Sequence, residues 1–145
     1  MSWITPNETE TRELLKTEVD DGDQGHYAAA DRLLACGVNN VLLKLGSRGC
    51  VIAQGNPAKQ RVRAFSVKAV DTTAAGDAFN AGFAVGLMRG FTVVHSALFA
   101  TAVAAISVTR PGAQPAMPTG DEVERFLEHH SIAATQEPSY TKQVQ

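Results

Sequence analysis

The chain has little cysteine. Cys36 and Cys50 are the two thiols, and their spacing matches neither a metal knuckle nor a redox pair. That excludes a disulfide-stapled scaffold and a cysteine-built metal site, so both are read as reduced. Charge of one sign is also scarce: 13 Lys and Arg against 15 Asp and Glu leave a formal net charge of −2. Without a basic excess there is no electrostatic footprint for nucleic acid or for an anionic membrane surface. No apolar run approaches the ~20 residues of a transmembrane helix. Met1-Ser2-Trp3 lacks the basic region and apolar stretch of a secretion signal, and a cytoplasmic location is the expectation. Internal repeats and low-complexity stretches are missing as well. His26, His95, His129 and His130 show no ligand spacing with acids or cysteines, which reads them as surface or packing residues.

What is present is a 145-residue chain with 44% hydrophobic residues, enough for the core of one domain. Helix and strand patterns alternate along it, the signature of an α/β fold. Trp3-Ile4-Thr5 reads as a strand end, and a helix is predicted from Pro6-Asn7 to about Glu18. Asp20-Asp21-Gly22-Asp23 is expected to be a loop. A second helix is predicted from Tyr27 to Cys36, with Ala28, Leu33 and Leu34 on one face and Gly37 as its stop. The apolar run Val41 to Leu45 suggests a buried parallel strand. Cys50 to Ala53, a Gly55-Asn56-Pro57 turn and Arg61 to Phe65 read as an antiparallel hairpin. Two long helices follow, Ala75 to Arg89 and Val94 to Val108, the latter apolar nearly all round and so buried on most sides. Thr119-Gly120-Asp121-Glu122 fits a capping box opening a last helix to His130, leaving residues 131–145 as a frayed tail.

The segment with most chemistry in it is Asp71-Thr72-Thr73-Ala74-Ala75-Gly76-Asp77-Ala78-Phe79-Asn80-Ala81-Gly82. It is a small-residue turn opening a helix, where unpaired N–H groups and the positive end of the helix dipole can hold phosphate oxygens. Asp77 then stands beside bound phosphates as a proton acceptor. The same residues also read as an ordinary helix start, with Asp71 or Thr72 as N-cap and Ala78, Ala81 and Gly82 allowing close packing. Asn7-Glu8-Thr9-Glu10 behind Pro6 is likewise a plain capping box on its own terms. Lys44-Leu45-Gly46-Ser47-Arg48-Gly49 is a strand exit with a glycine turn, not a Walker A loop, since no Gly-Lys-Ser/Thr ends it.

Taken together, in order, these segments and Val108-Thr109-Arg110-Pro111-Gly112-Ala113-Gln114-Pro115 resemble the ribokinase-like sugar kinases, the phosphofructokinase-B family. The likeness runs from Ile4 to about Leu127 and covers the C-terminal half of such a kinase. It implies an α/β/α domain over residues 1–130, with a mainly parallel sheet flanked by helices and an antiparallel hairpin. It implies ATP-dependent phosphorylation of a sugar hydroxyl, with D-ribose as the sugar. By resemblance Asp77 is the catalytic base and contacts the sugar, and Ala74, Ala75, Gly76 and Asp77 form the anion hole. Asn7, Lys44, Leu45, Gly46, Ser47, Arg48, Gly49, Gly76, Asp77 and Thr101 are assigned to ATP. Asn7 and Glu10 are assigned to order Mg²⁺ through its waters.

Oxygens of Asp71, Thr73, Ser107, Arg110 and Gly112 are assigned to a monovalent cation, K⁺. Ala116 stands where the family often has a hydroxyl for that cage, and Thr101 where it often has a histidine near the base. The family's sugar grip and lid precede the region present here. An exposed sheet edge is therefore expected to favour association, as a homodimer or with the missing N-terminal half. Two functions stay open: the catalytic and nucleotide-binding half of a sugar kinase, or a noncatalytic nucleotide-binding or partner-binding module derived from one.

Overall fold

The structure, a computed structural model, describes residues 2–55, 59–111 and 118–134, and the chain divides into two compact units between Arg63 and Ala64. In the first unit three strands, β1 (Val41–Lys44), β2 (Cys50–Ala53) and β3 (Lys59–Val62), form a sheet in chain order. Both pairings are antiparallel, with Leu42 opposite Ile52 and Ile52 opposite Gln60. The expected mainly parallel sheet is thus not what these strands form. β1 and β2 are joined by a single 3-10 turn, Gly46–Arg48, and so short a link can only return the chain antiparallel, since parallel neighbours need a crossover of about a dozen residues. Among the described residues, parallel pairing is confined to two isolated bridges, Ile4 with Val41 and Asn7 with Lys44. There Leu42 N–H donates to the Ile4 carbonyl (2.9 Å) and Lys44 N–H to that of Pro6 (2.8 Å).

Helix α1 (Glu8–Leu15) stops at Lys16, whose left-handed φ of 52° ends it before the expected Glu18. Helix α2 (Asp23–Ala35) starts a turn earlier than expected and takes Asp23 into its first turn. Its Ala29, Ala30 and Leu33 pack on Val41, Leu43, Leu45, Val51 and Ala53, while Ala28 is exposed. Leu42 and Ile52, which alternate with that set, are also buried. The apolar run of β1 therefore signalled a strand covered on both faces, without fixing the direction of its neighbours. Cys50 lies in this core, and burial pushes its thiol pKa up to about 12 against the lesser pull of Arg61.

The second unit contains α3 (Ala75–Met88), α4 (Val93–Val108) and α5 (Gly120–Ala134). Helices α3 and α4 cross very closely, because a Cβ on Gly82 would lie 2.9 Å from the Ala100 Cα, and one on Gly86 2.8 Å from the Ser96 Cα. Glycine is required there by the neighbour, not by its own backbone. Ala78 of α3, Phe99, Ala102, Val103 and Ile106 of α4 and Val123 of α5 share one core, bordered by Phe65, Phe91 and Phe126. The α5 capping box is present: Glu122 N–H donates to Thr119 Oγ1 (3.3 Å) and Thr119 N–H to Glu122 Oε1 (3.1 Å). The helix runs past the expected His130 to Ala134.

Candidate active site

The turn from Asp71 to Asp77 opens α3 at Ala75, as expected, but its N-cap is Ala74 and no side chain caps it. The reading of Asp71 or Thr72 as the cap is corrected by the structure. Asp71 Oδ1 instead accepts from Thr73 N–H (2.9 Å) and from the Thr73 hydroxyl, closing a small turn two residues upstream. Ala75 N–H donates to the Thr72 carbonyl (3.2 Å) and Ala78 N–H to that of Ala74 (2.9 Å). Among the described hydrogen bonds, no backbone acceptor faces the N–H groups of Gly76 or Asp77. Both residues are exposed, and Asp77 is the only acid in the first turn. The helix thus presents donors and a carboxylate at one open terminus. Gly76 is not among the glycines with left-handed φ, so its lack of a side chain is not demanded by its backbone.

The turn is tied to the end of α4. Val70 N–H (2.6 Å) and Asp71 N–H (3.0 Å) both donate to the Val108 carbonyl, a group at the helix end with no intrahelical donor. Sequence reasoning did not find this brace, because nothing local marks a carbonyl for such use. Ser107 is buried and its carbonyl accepts from Arg110 N–H (3.2 Å); the Arg110 guanidinium pairs with Glu122. Thr101 is buried, and its hydroxyl donates to the Ala97 carbonyl within α4 (2.7 Å). Gly112 and Ala116 lie outside the described residues.

In the first unit Asn7 and Glu10 form the full capping box, Glu10 N–H to Asn7 Oδ1 and Asn7 N–H to Glu10 Oε2, each 2.8 Å. Both side chains are exposed. The bridge from Asn7 to Lys44 brings this helix start to the end of β1, and the turn Gly46–Gly49 follows directly. Gly46 (φ 59°) and Gly49 (φ 90°) take conformations that a side chain would strain, and Leu45 N–H closes the turn on the Gly49 carbonyl (2.8 Å). Ser47 is exposed and Lys44 half-buried. Arg48 donates to Glu8 (2.6 Å) and Asp21 (3.3 Å), and its hydrogen bond to Glu8, then the Glu8 charge, holds the guanidinium more firmly protonated than usual. Arg61, paired with Asp23, also donates to the Arg48 carbonyl (3.0 Å). Glu8, Asp21 and Arg61 were not singled out from sequence. The acid-rich loop before α2 was the available signal for Asp21, but its partner is far along the chain.

Residues 1–120 match the pfkB family of carbohydrate kinases. Ribokinase from Haemophilus influenzae is 41% identical over 126 residues, covering 87% of this chain and 40% of that protein. Among solved structures, ribokinase from Thermotoga maritima is 45% identical with a TM-score of 0.79, covering 88% of this chain and 42% of that one. Arabidopsis thaliana ribokinase, solved with ribose and ATP, is 32% identical with a TM-score of 0.82 and similar coverage, 88% and 41%. The chain spans about 40% of the length of the curated relatives it matches. With the Asp71-to-Asp77 turn, the glycine turn after β1 and the capped Asn7-to-Glu10 segment all within the matched residues, the chain belongs to the pfkB family of carbohydrate kinases.

Proposed function

We propose that this chain carries the phosphate-holding turn, the general base and the nucleotide loops of an ATP-dependent sugar kinase whose acceptor is D-ribose. The observation that carries the reading is the uncapped start of α3, where unpaired amides and the exposed Asp77 carboxylate share one turn. A transferred phosphoryl group needs charge neutralisation and an oriented acceptor more than covalent help. In the step proposed, the sugar hydroxyl oxygen bonds to the γ-phosphorus, the bond to the ADP oxygen breaks, and the hydroxyl proton passes to Asp77. The amides of Ala74, Gly76 and Asp77 meet the migrating group, while that of Ala75 is held by the Thr72 carbonyl. Ribose as acceptor is supported by the several ribokinases among the relatives and by the plant enzyme solved with ribose and ATP.

Asn7 and Glu10 offer exposed oxygen donors of the kind that meet a hydrated Mg²⁺. Bound there, Mg²⁺ supplies neutralisation of the phosphate charge. Oxygens of Asp71, Thr73, Ser107, Arg110 and Gly112 are assigned to K⁺, an ion suited to an all-oxygen set, with Ala116 adding no hydroxyl. Lys44, Leu45, Gly46, Ser47, Arg48 and Gly49 are assigned to the nucleotide through backbone approach at the two positive-φ glycines, and Thr101 to the vicinity of its base. The second reading is a module that binds nucleotide without turning a sugar over.

Calorimetric titration with MgATP tests the site itself. Saturable binding is expected, and Gly76→Val, which puts a β-branched side chain where phosphate approaches, should abolish it without unfolding the chain. Unchanged MgATP affinity in a folded Gly76→Val variant would refute the anion-hole reading. Incubation with ATP, Mg²⁺, K⁺ and ribose, followed by mass spectrometry, separates kinase from module.

A further inference from the structure

We propose that Glu8, Asp21 and His26 form a site for a divalent transition-metal ion of the zinc type, closed at rest by the guanidinium of Arg48. Each of the three residues offers one ligand atom, and these atoms all lie within 4.8 Å of one another. A two-carboxylate cluster alone would be ordinary surface chemistry. The histidine changes that, because His26 is fully buried and neither of its ring nitrogens has a hydrogen-bond partner. A buried polar group left unpaired is costly, and native proteins rarely tolerate one without a use. His26 Nε2 stands 3.7 Å from Glu8 Oε2, beyond hydrogen-bond length, with the carboxylate facing it.

The local fold holds the acids over the ring. Residue 25 is glycine, and a Cβ there would collide with the Asp20 carbonyl, so the acidic loop can lie down on the first turn of α2. That brings Asp21 to the same end of the helix as His26. The donor set then decides the ion class. Imidazole nitrogen with carboxylate oxygens suits zinc and its first-row neighbours, whereas Mg²⁺ and Ca²⁺ take oxygen ligands.

Arg48 is the present counter-cation, bonded to Glu8 at 2.6 Å and to Asp21 at 3.3 Å. Its side chain is 41% exposed, so it has a path to solvent. Arg48 and a metal ion compete for the same oxygens. With the guanidinium in place the cluster carries one net negative charge; with a divalent ion in its stead it is neutral. Occupancy therefore releases Arg48 from both acids.

The test is Zn²⁺ titration of the whole chain against a chromogenic chelator, with Co²⁺ absorption as a second probe of nitrogen and oxygen coordination. The wild-type chain should take up Zn²⁺ saturably, and His26→Asn should weaken uptake by more than the ~10–100-fold that losing even an outer-shell partner typically costs. Arg48→Gln removes the competing cation from a solvent-exposed position, so that variant should fold and bind Zn²⁺ about tenfold more tightly. If His26→Asn does not fold, as circular dichroism will show, Arg48→Gln decides alone. Unchanged or weaker affinity in Arg48→Gln overturns the proposal. So does undiminished binding in a folded His26→Asn chain, which would move the ion to other ligands, and so does a wild-type chain with no saturable uptake.

Discussion

Helices α1 and α3 begin in opposite ways. Asn7, extended at ψ −179°, closes α1 with a reciprocal capping box; Ala74, at ψ 13°, opens α3 with no side-chain cap at all. The bodies of the two helices differ in the reverse sense. Only Thr11 of α1 is buried and Leu14 is 60% exposed, whereas α3 buries Ala78, Phe79, Gly82, Phe83 and Gly86. Where packing is thin, the cap holds the helix. Where packing is dense, the terminus can be left open, and its donors remain available to a ligand. An uncapped start is thus not a defect in α3, because the helix does not depend on it.

The largest expected effect comes from the carboxylate at that open end. Asp77→Asn keeps the size and shape of the side chain and removes its basicity. On the proposed kinase reading, formation of ribose phosphate by a complete kinase that carries this segment, followed by mass spectrometry, should fall by at least ~10²-fold, the usual scale of general-base loss, while MgATP affinity is kept. Comparable turnover in the two chains would reduce Asp77 to a charge beside the helix dipole and remove the functional side of the comparison.

Next in size is the clamp on the α3 body. Gly86→Val would drive a β-branched side chain into the Ser96 backbone, which lies 2.8 Å from the position of its Cβ. Backbone cannot swing aside as a side chain can, so a loss of about 1–3 kcal/mol or more is expected from urea unfolding. MgATP binding should weaken with it, since the turn rides on the helix. Full retention of stability would mean that α3 is not held by its crossing with α4.

The two helix starts also mark how far the sequence could be read. The boxes at Asn7 to Glu10 and Thr119 to Glu122 were legible because cap and partner are three residues apart. The start of α3 at Ala75 was legible too, but its missing cap was not. Asp71 and Thr72 look like caps until the Val108 carbonyl, some forty residues on, fixes the backbone at Val70 and Asp71. The same division holds in the sheet. The Val41 to Leu45 run announces burial, a property of those residues; strand direction depends on the turn and on segment 3–7. In α2 a run of three alanines gives no face to choose, so Ala28 was expected inside and Ala29 and Ala30 are there instead. Arg48 was legible as part of the glycine turn, but its pairs with Glu8 and Asp21 are long-range and were not.

The smallest effect sharpens the comparison most, because it asks whether residue type or backbone leaves the α3 amides open. At Asn7 the extended backbone points the side chain over the first turn, and Asn7→Ala should cost about 0.5–2 kcal/mol in urea unfolding, the usual worth of a good N-cap. If identity alone mattered, Ala74→Ser should return a similar amount to α3. The backbone argues otherwise. Caps that work here are extended, as at Asn7 (ψ −179°) and Thr92 (ψ 160°), whereas Ala74 sits at ψ 13°, which does not carry a short side chain over the amides of Gly76 and Asp77. Ala74→Ser should therefore change stability by no more than ~0.5 kcal/mol, as for an ordinary surface substitution, and leave MgATP affinity intact. Stabilisation by ~1 kcal/mol with loss of MgATP binding would show that a hydroxyl can reach those donors, and that only the choice of alanine keeps them free.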